Sequence, residues 1–371
     1  MNKKVLIVYA TAGIGHKKAA EAIHEAIKRD HENVDVRLVD VLDYTDHLFG
    51  KAYPAAYLLL INRLIFLWGL LYYLSDIKLL HLIFYRLRRL LHVINSRKFI
   101  SYLLDYRPDV VVATHFMVAD VCYYAGKRYG LKTRVINLIT DYMPHSFWIS
   151  SGVDTYFVAH QETRRVLQKK WRVSRDRVIV TGIPVATKFC IKHDKDAIRK
   201  KLGIPSGSFA ALLLGGGYGM GPMFGLLTEL NRSDFPITVI TVCGHNKDLY
   251  KKVESFKADS RINILNFSFV DNIDELMAAS NVYIGKAGGI SITEALAQDL
   301  PSIFIRPIPG QEKRNADLFI NMGVGLKARG VDDILSTITQ VRTMRNSAAS
   351  MTKRVSRMKK VFAAETIANL I

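Results

Sequence analysis

A chain of 371 residues, 49% of them apolar, exceeds one core of ordinary size and has the makings of two well-packed domains. Its three cysteines, Cys122, Cys190 and Cys243, have no CxxC or Cys/His spacing, which argues against a thiolate metal site and reads as reduced structural thiols. The net charge of +19 asks for an anionic partner, and the placement of that charge among Leu and Ile argues for anionic membrane lipids and no nucleic acid.

The chain opens on KKVLIVYA, an apolar run typical of a buried first strand, with no signal-like n-region, h-region and cleavage site. The expectation is a protein that stays on the cytoplasmic side. TAGIGHKKAAEAI then places Gly13 and Gly15 straight after the strand and His16 at the mouth of a helix. A dinucleotide fingerprint asks for a third glycine near residue 18, where Lys18 stands, so NAD is not expected. From position alone His16 has two readings: a residue that caps the turn, or a general base at a cleft.

Between Lys51 and Ile100 stand eight Lys or Arg residues and one acid, Asp76. Read as a helix, Leu79, Leu80, Ile83, Leu87, Leu90, Leu91 and Ile94 fall on one broad face, with Arg86, Arg89 and Arg97 clustered on the other side. That pattern suits a basic amphipathic helix lying among anionic headgroups. Residues 52–74, with Leu67 and Trp68, approach spanning length but carry Asn62 and Arg63 near the middle. A central Arg costs about 2.5–3.5 kcal/mol on insertion, so 52–100 reads as a monotopic membrane-associating segment. The alternative is a helical hairpin buried in the domain or in a dimer.

VLIVYA, VDVRLVDV, DVVVATH, RVINLITD and TYFVAH read as buried strands separated by helical patterns, which indicates a parallel sheet covered on both faces. The pattern restarts after TGIPVATKF with AALLLGGG, ITVITVCG, INILNFS, VYIGKAGG and PSIFIRP. The expected fold is α/β, two Rossmann-like domains facing each other across a cleft. The expected limits are 1–185, 186–350, and a basic C-terminal helix at 351–371 that either joins the membrane surface or packs back across the cleft. Asp194 and Asp196 form a DxD, but in a charged, linker-like stretch that reads as a solvated helix start; no metal is expected.

LLLGGGYGMGP puts Gly215, Gly216 and Gly217 after a strand, where backbone N–H groups close around phosphate oxygens. The alternative is a turn that only permits tight packing. The loop lacks the GK[ST] ending of a nucleotide hydrolase. In KAGGISITEAL, Gly288 and Gly289 allow close backbone approach and the following helix presents N–H groups and a positive dipole end to a diphosphate. Ser291 and Thr293 offer hydroxyls, and Glu294 projects toward a ribose diol. PIPGQEKRN places Gln311, Glu312 and Asn315 at a loop tip suited to sugar hydroxyls.

KAGGISITEALAQDLP followed by PGQEKRN resembles the nucleotide-sugar site of family 28 glycosyltransferases. TAGIGHKKAAEAI, ITDYMPHSFWISSGVDTYFVAH and VTGIPV are similar to the branch of monogalactosyldiacylglycerol synthases and processive diacylglycerol glucosyltransferases. The resemblance covers nearly the whole chain in the same motif order, although the first loop reads AGIGH where the simplest pattern has an unbroken glycine triplet. It implies a GT-B fold and inverting transfer of a hexose from a UDP-sugar to the hydroxyl of diacylglycerol, without a metal or other cofactor. It implies UDP-glucose or UDP-galactose as donor, with UDP-N-acetylglucosamine also open, and action at the cytoplasmic face of the membrane.

By the same resemblance, Glu294 holds the ribose, and Gly288, Gly289, Ser291 and Thr293 the diphosphate. Gln311, Glu312 and Asn315 read the hexose, and Phe269 and Val270 cradle the uracil. His16 is the general base, with Asp141 as the rival base or the group that orients His16. Gly15, His145 and Trp148 line the acceptor site.

Overall fold

A computed structural model describes residues 2–11, 13–343 and 353–371. The chain divides into two units. The first comprises Met1–Ala186, Ile308–Gln311 and Lys360–Ile371; the second comprises Thr187–Pro307 and Glu312–Lys359.

In the first unit the order is β1 (Lys3–Tyr9), α1 (Ile14–Asp30), β2 (Val34–Asp40), α2 (His47–Asn62), α3 (Ile65–Ser75), α4 (Lys78–Asn95) and α5 (Arg97–Tyr106). It continues with β3 (Val110–Ala113), α6 (Phe116–Tyr129), β4 (Arg134–Leu138), β5 (Thr155–Val158), α7 (Gln161–Trp171) and β6 (Val178–Val180). The six strands are parallel in the order β2-β1-β3-β4-β5-β6. Leu6, Val8, Val111 and Val158 from the sheet are buried with Phe99, Leu103 and Met117 from the helices. Such strands are apolar on both faces because helices cover both.

The second unit runs α8 (Lys195–Lys201), β7 (Phe209–Leu214), α9 (Met223–Leu230), β8 (Ile237–Val242), α10 (Lys247–Lys257), β9 (Asn263–Phe267) and α11 (Ile273–Ala279). Then come β10 (Val282–Gly285), α12 (Gly289–Ala297), β11 (Ser302–Ile305), α13 (Gln311–Asn321), β12 (Gly325–Ala328) and α14 (Ile334–Thr343). Its parallel sheet has the order β12-β11-β10-β7-β8-β9. Each sheet therefore reverses direction once, between β1 and β3 in the first unit and between β7 and β10 in the second. In open α/β sheets that reversal opens a ligand crevice at the carboxyl ends of the strands. The DxD caps a helix: Asp194 Oδ1 accepts from the N–H groups of Asp196 and Ala197 at the start of α8.

The C-terminal segment is not one helix. Residues 353–358 are helical, 359–362 are not, and Ala363–Leu370 forms a final helix against α1. The expected limit at 350/351 lies outside the described residues. Gly182 explains part of that docking: its φ is +91, and an added Cβ would meet Lys360 and Ala363 side chains.

The α2–α4 segment presents its apolar residues outward. Leu79, Leu82, Ile83, Leu87, Leu90, Leu91 and Ile94 recur at helical spacing along α4 and are all exposed, Leu79 by 79%. Leu67 and Phe66 on α3 are exposed too, Phe66 by 84%. The inner face of α4 is polar: Arg88 Nε and His92 Nδ1 both reach Asp120 Oδ2 on α6, at 3.2 and 3.0 Å. Burial works against charge on Asp120, yet the His92 and Arg88 hydrogen bonds hold its carboxyl below the usual range. Burial also depresses His92, so the pair is a neutral imidazole donating to a carboxylate.

Of the basic residues expected at the membrane, Arg86 and Arg97 are exposed, while Arg89 is partly covered and lies over the rings of Tyr85 and Tyr123. Trp68 departs from expectation. Its indole N–H donates to the Pro309 carbonyl at 3.1 Å, because Gly69 lets Pro309 pack close to α3. Among the described residues no single helix is long and apolar enough to cross a membrane. α2 and α3 pass that test only as a pair, bent by 109°.

Candidate active site

His16 sits in the first turn of α1, just beyond the carboxyl end of β1. Thr114 and His115 follow β3, and Thr140 and Asp141 follow β4. The His16 side chain bridges the switch point of the first sheet: its Nδ1 lies 2.6 Å from the Thr114 carbonyl oxygen, with Thr140 Oγ1 at 3.2 Å. A carbonyl only accepts, so Nδ1 donates and the lone pair is left on Nε2. The Thr114 hydroxyl returns a hydrogen bond to the His16 carbonyl at 3.0 Å, fixing the turn. Burial pulls the His16 pKa down to about 4, against the Thr114 hydrogen bond. At neutral pH the ring is an uncharged proton acceptor.

The groups that orient His16 are thus a backbone carbonyl and a hydroxyl, with Asp141 the next residue after Thr140. Gly15 shares the first turn of α1 with His16. His115 packs edge-on against His16, ring centroids 5.0 Å apart, and Trp148 lies 6.1 Å away.

Trp148 and His145 are buried. Nδ1 of His145 accepts from the Phe147 N–H and Nε2 donates to the Tyr72 carbonyl at 2.8 Å. The Tyr72 ring lies over it, centroids 3.9 Å apart. With both nitrogens engaged, His145 ties the HSFW turn to α3 where an acceptor-lining residue was expected. Asp76, which accepts from the Ser146 N–H at 2.9 Å and pairs with Lys170, completes that tie.

In the second unit two glycine turns flank the other switch point. Gly215, Gly216 and Gly217 follow β7, and Lys286–Gly289 follows β10. The strands beneath them touch so closely that a Cβ on Gly285 would lie 2.6 Å from the Leu214 carbonyl oxygen. Gly216 is left-handed at φ +67, and the Gly217 carbonyl accepts from the His245 N–H at 2.9 Å. The turn after β8 therefore fixes the glycine loop.

α12 begins at Gly289 behind Gly288, which supplies no side-chain cap. The first N–H groups of this buried helix are thus left for an anion. Space is available, since a Cβ on Gly288 would meet nothing within 4 Å. Of the two hydroxyls expected to help, that of Thr293 is engaged within the turn. Thr293 Oγ1 donates to the Gly289 carbonyl at 2.6 Å, and Ser291 stands near the buried Tyr283 phenol. Tyr283 in turn donates to the Lys286 carbonyl at 2.8 Å.

Burial, then the carboxylates of Glu312 and Glu294, raise the Tyr283 pKa, so both acids lie near that ring. Glu294 is buried on α12. Asn315 is fully buried, and its Nδ2 donates to the Ala287 carbonyl at 3.1 Å, a brace for the turn rather than a group at a loop tip. Gln311 Nε2 meets Tyr57 Oη at 3.3 Å within the first unit. Phe269 is exposed after β9 and stacks on His245, centroids 4.7 Å apart, with Val270 half-buried beside it. His115 and His245 carry no motif in the sequence; their signal is a place two and three residues past the ends of β3 and β8.

The two units superpose on solved GT-B enzymes. MurG of Acinetobacter baumannii matches with a TM-score of 0.65 at 13% identity, covering 100% of this chain and 99% of that one. UDP-GlcNAc 2-epimerase of Neisseria meningitidis, bound to UDP-GlcNAc, matches at 0.60 and 15%, covering 99% and 98%. These likenesses define the fold, a two-domain GT-B architecture, which by itself hosts more than one reaction.

Residues 16–185 match the monogalactosyldiacylglycerol (MGDG) synthase family, and residues 225–369 match the glycosyltransferase family 28 C-terminal domain. The chain belongs to the family 28 glycosyltransferases, on the MGDG synthase branch. The processive diacylglycerol beta-glucosyltransferase of Bacillus pumilus is 28% identical over 384 residues, covering 99% of this chain and 94% of the relative.

Proposed function

We propose that the enzyme transfers a hexose from a UDP-sugar to the hydroxyl of diacylglycerol at the cytoplasmic surface of the membrane, with inversion and without a metal. The observation that carries the chemistry is His16, whose Nδ1 is pinned to the Thr114 carbonyl so that Nε2 is the proton acceptor. The acceptor oxygen attacks the anomeric carbon, its proton passes to Nε2, and the bond to UDP breaks with its electron pair leaving on the diphosphate. The uncapped N–H groups and dipole of α12, with the loop at Gly215–Gly217, receive that charge. Glu294 takes the ribose, Phe269 and Val270 the uracil, and Gln311 and Glu312 the hexose. The name of the Bacillus pumilus relative favours glucose over galactose.

The membrane reading rests on the exposed apolar stripe of α4 and α3 beside Arg86, Arg97 and Lys98, a combination that suits anionic lipid. The deciding experiment is a donor panel: purified enzyme, diacylglycerol in anionic vesicles, each UDP-sugar in turn, and lipid products resolved by mass. A hexosyl-diacylglycerol is expected. Diacylglycerol left unmodified by every donor while UDP still binds would move the acceptor to a polyprenyl diphosphate or a pre-formed glycolipid.

A further inference from the structure

His115 is a second histidine at the same switch point, and its polarity is opposite to that of His16. It is the N-cap of α6, and its Nδ1 accepts from the Met117 N–H at 3.3 Å. The proton of the neutral ring therefore sits on Nε2. The residue is 2% exposed, packed between the rings of Phe116, Tyr53 and His16. No hydrogen-bond partner for Nε2 stands among the described residues. Burial, followed by the neighbouring His16, His92 and Arg88, drives its pKa well below the ordinary value, which keeps the ring neutral and the proton in place.

Each ring is anchored through Nδ1, so each turns Nε2 away from its anchor, and the rings are only 5.0 Å apart. A proton acceptor on His16 Nε2 and a donor on His115 Nε2 suit a molecule that carries a hydroxyl and an oxygen acceptor close together. We propose that His115 is a positioning residue for the lipid acceptor, donating from Nε2 to the ester carbonyl oxygen adjacent to the hydroxyl that His16 deprotonates. His115 keeps its proton throughout; its role is to hold the glycerol backbone with the reacting oxygen toward the base. The inference rests on the diacylglycerol reading above, and it adds a basis for distinguishing ester from ether glycerolipids.

The test compares 1,2-diacylglycerol with its 1,2-dialkyl ether analogue, in vesicles of equal composition, for wild type and His115→Asn. Asparagine keeps an oxygen to cap α6 while removing the distal donor. Wild type is expected to favour the ester by about tenfold in kcat/KM, the discrimination one hydrogen bond supplies. In His115→Asn that preference falls toward unity, with UDP affinity unchanged. His115→Gln, whose longer amide carries an N–H toward the lost position, restores part of it. Equal ester and ether rates in wild type, or an ester preference that survives in His115→Asn, would overturn the inference alone. Wild type inert on both lipids would sink the diacylglycerol reading and this inference with it.

Discussion

The ring of His16 is held by a bond to main chain, the Thr114 carbonyl 2.6 Å from its Nδ1. No side-chain substitution at Thr114 removes that acceptor, so the tautomer is built into the fold. The neutral ring is the working form, and burial pulls its pKa from 6.5 to about 4. The acid limb of kcat/KM is therefore expected well below pH 6.5, toward pH 4, and a limb centred at 6.5 or above would exclude His16 as the base. His16→Ala should lower kcat by about 10²–10⁴-fold with UDP affinity retained. Folding follows the same sign: the unfolded histidine protonates near 6.5, the folded one only near 4. Its contribution to stability is complete above 6.5 and declines as pH falls between those values. His16→Ala flattens that part of the stability–pH curve.

Gly244 is left-handed at φ +59, and a Cβ there would be forced against the Gly217 carbonyl. Gly244→Ala should cost about 1–3 kcal/mol and displace the phosphate-side loop. Titration calorimetry is expected to show UDP binding weakened by more than the loss in thermal midpoint explains. Unchanged UDP affinity would remove Gly215–Gly217 from the donor site.

Asp120 is fully buried, and Arg88, its partner, is 13% exposed. Asp120→Ala leaves that guanidinium buried without its counter-charge and should destabilise the first unit by about 3–5 kcal/mol. Replacing both partners with apolar residues of similar volume should recover much of the loss, as read by urea unfolding. Recovery that does not occur would mean that Asp120 acts through groups other than Arg88.

Ile83 and Leu87 lie on the exposed stripe of α4. The pair of changes Ile83→Glu and Leu87→Glu should abolish co-flotation with anionic vesicles and leave the thermal midpoint of the soluble protein within a few degrees. A matching loss of stability would mean that the stripe is covered by protein. Arg86→Ala should weaken binding by about 1 kcal/mol in anionic vesicles and by little in neutral ones.

Much of this was written locally. VLIVYA and ITVITVCG name central strands because strands buried on both faces are apolar throughout. The β6 and β12 segments, VIV and GLKA, were not separated from their surroundings. They are three and four residues long and close the edges of their sheets, where half-exposed residues blur the pattern. His16 was legible because glycines announce its turn. Its partner was not, since Thr114 stands 98 residues away and its backbone oxygen has no signature in residue type. Trp68 reads as part of the membrane-associating segment because it lies in the apolar run 52–74. The contact that claims its N–H joins positions 241 residues apart. Thr293 is legible as a residue, but not as a hydroxyl committed to the Gly289 carbonyl inside the turn.

The first unit is assembled from three pieces of chain, and the last of them is Lys360–Ile371. Ala363, Ala364, Ile367 and Ala368 of that piece are buried, and Glu365 meets Arg29 of α1. During synthesis the opening strands emerge first and wait. Until residues 360–371 follow the second unit out, α1 lacks the helix that covers it. The half of the protein made first is the half finished last.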